Sequence, residues 1–75
     1  MPHFEIKLLE GKTEGQKQKL AEEVIKAAQS VIGFGDESYS VAIKDYSLQQ
    51  WKEDIYPKHI QAEEERLYKK PGYTM

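Results

Sequence analysis

At 75 residues the chain is the length of one small domain, and a folded monomer of that size buries only about 60% of the surface its unfolded chain exposes. With no cysteine, and with His3 and His59 far apart in sequence, it has neither a disulfide staple nor metal-ligand spacing. No metal site is expected, and association between copies is the expected source of further burial. A net charge of -2 and a pI near 5.6 lack the basic footprint of a nucleic-acid binder. No run approaches the roughly 18 to 20 apolar residues of a membrane span, nor does the start read as a secretion signal, so a cytoplasmic protein is expected.

Residues His3 to Leu9 alternate, with Phe4, Ile6 and Leu8 on one face and Glu5 and Lys7 on the other, the period of a half-buried strand. Directly before it stands Met1-Pro2. An initiator Met ahead of a proline is routinely removed, which leaves Pro2 with a free secondary amine. An α-amino group titrates at about 7.7 to 8.0, and a proline ring amine is somewhat more basic. An apolar site with neighbouring cations lowers that value towards the pH where a general base works best. A strand holding Pro2 at its head gives such a base a rigid mount.

Glu10-Gly11-Lys12 reads as a turn, and Thr13 with Gln16 three residues on matches the capping box of a helix N-terminus. In the helix that follows, Leu20, Val24, Ala27, Ala28, Val31 and Ile32 form one apolar stripe at spacings of three and four; Gly33 and Gly35 end it. A second alternation sets Tyr39, Val41 and Ile43 against Ser40, Ala42 and Lys44, a second strand. Strand, helix, strand is a βαβ unit, whose right-handed crossover makes the two strands parallel. Two strands leave open edges, a physical reason to expect another subunit against the sheet.

Asp45-Tyr46-Ser47 is expected to turn the chain. Ser47 with Gln50 offers a second capping box, for a short helix carrying Leu48, Trp51 and Ile55 that Pro57 should stop. Residues 58 to 66 hold one or two further helical turns. In the tail, Pro71-Gly72 has the order of a type II turn, and Leu67, Tyr68 and Tyr73 supply apolar area for docking against a neighbouring subunit.

Pro2, the strand ending in Leu8-Leu9-Glu10-Gly11, the pair Gln16-Lys17, the helix, and the second strand with Ser38 to Asp45 together resemble the tautomerase superfamily of amino-terminal-proline enzymes, of which oxalocrotonate tautomerase is the prototype. The likeness covers roughly the first 50 residues. The Met-Pro-His start, Trp51 and Lys69-Lys70-Pro71-Gly72-Tyr73 look more like its PptA-type branch, whose members act on phenylenolpyruvate-like enols and are described as homodimers. The resemblance implies a single α/β (α+β) domain over residues 1–75. It also implies a homodimer, with a hexamer of three dimers as the alternative, and an isomerase that needs no cofactor.

In the implied reaction the Pro2 amine removes a proton from a small enol acid and returns one elsewhere on the conjugated system. A cation must hold the substrate carboxylate, and an apolar wall must keep the amine neutral. The family's first arginine is matched here by Lys12 and its second by Ser40, while Trp51 falls near its apolar active-site aromatic. Lysine keeps the charge without the planar fork that suits a carboxylate; serine keeps neither. These departures lead to the expectation of either a monoacid substrate or donors borrowed from elsewhere, the resemblance itself implying an enol such as a 2-hydroxyalkenoate or phenylenolpyruvate. The residues also admit a hydratase or dehalogenase of unsaturated acids, or a non-enzymatic oligomeric module of the same fold. His3 and Lys44 read as surface residues or structural hydrogen-bond partners.

Overall fold

A computed structural model describes all residues from Met1 to Met75, which fall into two compact units, Met1–Asp45 and Tyr46–Met75. The first is a βαβ unit: β1 (His3–Leu9), α1 (Glu14–Ile32) and β2 (Ser40–Tyr46), with the two strands side by side and parallel. The Ser40 N–H donates to the Pro2 carbonyl at 3.3 Å, which sets Ser40 opposite His3 in the register of a parallel pair. By alternation, Phe4, Ile6 and Leu8 share one sheet face with Val41, Ile43 and Asp45; His3, Glu5 and Lys7 share the other with Ser40, Ala42 and Lys44.

Helix α1 covers the first of these faces, its Lys17 and Ala21 lying over Val41 and Ile43. It begins at the expected capping box, with the Thr13 side chain accepting from Gln16 N–H at 3.0 Å and the Gln16 side chain accepting from Thr13 N–H at 2.9 Å. It ends at Gly33, whose φ of 80° is open to glycine without the Cβ penalty. Within the apolar stripe Ala27 is exposed, whereas Leu20, Val24 and Ala28 are half-buried. Val31, at 82% exposure, and Ile32, at 52%, lie open to solvent instead, because the helix outruns the two short strands; α1 buries no residue completely. Phe34, set between Gly33 and Gly35, is likewise exposed and holds a left-handed φ of 69°.

Tyr39 is the one buried side chain of this unit. Its ring stacks on Phe4 at 6.3 Å between centroids, and its hydroxyl donates to the Gly33 carbonyl. β2 also runs further than its alternation suggests, since Asp45 and Tyr46 continue the strand and only Ser47 breaks it.

In the second unit Ser47 and Gln50 form the second capping box, and the short helix α2 (Leu48–Gln50) runs directly into a π-helix, Trp51–Gln61. Pro57 lies inside that helix, contrary to the stop expected from the sequence. A proline interior to an α-helix loses a hydrogen bond and clashes with the carbonyl four residues back. Widening the spiral to five-residue spacing relieves that demand, as in the Ala62 N–H donation to the Pro57 carbonyl at 3.1 Å. Flanking the proline, Ile55 and Tyr56 are buried, Ile55 to 1% exposure.

A 3-10 turn, Glu64–Arg66, leads into the tail. Tyr73 packs there on its own chain, 5.7 Å from Tyr56 between ring centroids, and its hydroxyl accepts the Trp51 indole N–H at 3.2 Å. Gly72 takes no positive φ, so Pro71-Gly72 is not the centre of a type II turn. The tail is held by the Tyr73 contacts, which leave no call for the reversal.

Candidate active site

The head of the sheet gathers three of the residues that matter. Pro2 immediately precedes β1, half-buried, while Met1 beyond it is 100% exposed and touches nothing that folding needs. Ser40, at the head of β2, is tied to Pro2 through its backbone N–H and to His3 through its side chain, with 2.6 Å between Oγ and the imidazole Nδ1. The other imidazole nitrogen, Nε2, faces Glu5 at 3.8 Å, and Glu5 in turn lies 4.0 Å from Lys7 Nζ. Pro2 thus sits beside a polar file on the uncovered sheet face. His3 enters as a hydrogen-bond partner, the structural role its exposure suggested.

Lys12 is elsewhere. It follows β1 at the far end, past Gly11 with its φ of 115°, and is exposed. Six steps of about 3.3 Å along the strand separate the ends of β1 by about 20 Å. One copy therefore cannot bring Lys12 to its own Pro2. Trp51 belongs to the second unit, where it meets Tyr46 edge to face at 6.4 Å as well as Tyr73.

The closest ion pair of the first unit lies at the same far end. Lys17 Nζ reaches Asp45 Oδ2 at 2.8 Å and Glu14 Oε1 at 3.1 Å. The Asp45 hydrogen bond first, then that from Glu14, holds the lysine above its ordinary range. The pair clamps the first turns of α1 to the end of β2. Along the outer surface of α1, Lys19 and Glu23 at 3.0 Å each favour the other's charged form, the lysine shifted up and the carboxyl down. No cluster of His, Cys, Asp and Glu side chains has the grouping a metal ion needs, and no helix is long and apolar enough to cross a membrane.

Sequence reasoning missed the contact between His3 and Ser40. Both head their strands with side chains on the polar face, so the signal was present, but the register that sets them opposite is a long-range fact.

A two-stranded parallel sheet under one helix, with a proline at its head, is the architecture of a known class of isomerase. The tautomerase family model, described as "Tautomerase enzyme", matches residues 2–52, and the chain belongs to that family. A probable tautomerase of Xylella fastidiosa is 37% identical over 73 residues, covering 97% of this chain and 89% of that protein. The tautomerase PptA of Cronobacter sakazakii is 32% identical over 76 residues, covering the whole of both. Among solved structures, TomN, a 4-oxalocrotonate tautomerase homologue of the tomaymycin biosynthetic pathway, superposes with a TM-score of 0.64 at 26% identity, over 67% of this chain and 77% of its own.

Proposed function

We propose that this tautomerase, freed of Met1, interconverts the enol and keto forms of a small monoacid, a 2-hydroxyalkenoate or phenylenolpyruvate-like enol, with the Pro2 nitrogen as the base. The observation that carries the reading is the head of the sheet: Pro2 fixed by the Ser40 hydrogen bond, behind a Met1 whose removal disturbs no packing. The neutral proline nitrogen takes the enol hydroxyl proton, and the O–H electrons become the carbonyl. The former C=C carbon then takes a proton back from the protonated proline. No redox partner or cofactor enters this balance.

The length of β1, about 20 Å, which stands between Pro2 and Lys12, supports a site built by two copies. A two-fold axis that pairs the open edge of β1 with its equivalent runs the two strands antiparallel, so Lys12 of the partner subunit reaches Pro2. The uncovered sheet face, carrying His3, Glu5, Lys7 and Lys44, favours the dimer over a hexamer that would bury it, since buried charge is costly. Lys12 then supplies charge to the substrate carboxylate and Ser40 a hydroxyl to its other oxygen. A single cation at this site favours one carboxylate per substrate over two.

The test is ketonisation of phenylenolpyruvate, followed by loss of its ultraviolet absorbance with protein whose intact mass lacks one methionine. Pro2→Ala is expected to lower the rate about 10²-fold to 10⁴-fold, the usual worth of a general base. An unchanged rate refutes the assignment.

A further inference from the structure

We infer that His3 is a positioning residue that sets the polarity of the Ser40 hydroxyl for an acid substrate; the inference rests on the reading of Ser40 as a substrate contact. A serine hydroxyl has one proton and two lone pairs, and its rotor turns to suit its partners. At 2.6 Å from Nδ1 that rotor is no longer free. If Nδ1 accepts, the hydroxyl proton points at the imidazole and lone pairs face outward, repelling a carboxylate oxygen. If Nδ1 carries a proton and donates it to Oγ, the hydroxyl proton is released to point at the substrate. A bound acid therefore selects the form with N–H at Nδ1.

The surroundings permit that form. Glu5 on the Nε2 side stands at 3.8 Å, beyond hydrogen-bond reach, so it does not fix the ring proton at Nε2. Lys7 stands behind Glu5 at 4.0 Å, and Lys44 lies on the same face of the neighbouring strand. His3 and Ser40 form a directional pair ending beside Pro2, where the family has the fork of an arginine. The proline site gains a neutral donor whose direction is set from behind.

His3 is half-exposed, so its replacement removes little packing. With phenylenolpyruvate, His3→Ala and Ser40→Ala are each expected to raise KM about tenfold, the worth of one hydrogen bond to a charged group, with kcat held within about twofold because the contact binds ground and transition states alike. The double variant should be no worse than either single one. His3→Asn, whose amide occupies the place of Nδ1, should recover most of the loss. In nitrogen-15 spectra of the imidazole, adding the unreactive acid phenylacetate should move the His3 Nδ1 signal towards the protonated position in wild type and not in Ser40→Ala. Losses that multiply in the double variant, an unchanged KM in His3→Ala, or no Nδ1 response to bound phenylacetate overturns the inference. Wild type that binds phenylacetate with the Nδ1 response but turns over no enol leaves His3 supported and defeats the Pro2 reading; failure to bind either acid defeats both.

Discussion

The distance between Pro2 and Lys12 has a direct experimental consequence. On the proposed mechanism Pro2→Ala removes the base, while Lys12→Ala removes a charged hydrogen bond of about 1.5 to 3 kcal/mol, or roughly tenfold to a hundredfold in kcat/KM. Each variant alone is a poor enzyme. When the two are unfolded together in equal amounts and refolded, random pairing makes half the dimers mixed. In a mixed dimer the Pro2-intact copy must find its lysine on the other copy, and there the other copy is the Pro2→Ala chain, whose Lys12 is present. One site of that dimer is whole and the other lacks both groups. Activity should therefore rise to about a quarter of wild type, well above the average of the two variants measured apart. With both residues drawn from one copy, every site would lack one group and mixing would restore nothing. Stopped-flow ketonisation with size-exclusion control of the dimer fraction reads the difference. A mixed sample no faster than the average of its components refutes the shared site.

Three further outcomes test the fold beneath it. Thr13→Ala should lose the reciprocal cap at the head of α1, about 1 kcal/mol, lowering the melting temperature by roughly 4 to 8 °C for a domain of this size; calorimetry measures it. Tyr73→Phe removes the acceptor of the Trp51 indole, so the emission of the one tryptophan should shift while the far-ultraviolet dichroism stays the same. Lys17 is raised in the folded state by Asp45 and then Glu14, so its contribution is fully present below the unfolded lysine value near 10.5 and is lost as pH rises through the higher folded value. Thermal melts at pH 9 and pH 11.5 should therefore fall more steeply for wild type than for Asp45→Asn.

What the sequence made legible is local. The alternation of Phe4, Ile6 and Leu8 marks β1 to its last residue, and Thr13 with Gln16 and Ser47 with Gln50 mark both helix starts, because a strand period and a cap are written within a few residues. The errors sit where a distant partner decides. Pro57 should have ended a helix, but Ile55 and Tyr56 beside it are buried, and the spiral widens around the proline. The stripe on α1 ran on in sequence to Val31 and Ile32, whereas the strands beneath stop short. Pro71-Gly72 has the composition of a reversal, yet the ring of Tyr73 on Tyr56 fixes the tail. Of the candidate site, Pro2 was readable from its position and Ser40 from its place in the strand. Their adjacency, the hydrogen bond to His3 and the remoteness of Lys12 required the register.

The free-standing first methionine carries a practical warning. Because that residue is fully exposed, a purification tag fused ahead of it would leave the fold of each copy untouched. On the proposed mechanism it would also lock the proline nitrogen into an amide. Such material would look faultless by every biophysical criterion and turn over no substrate, so affinity handles belong at the other terminus.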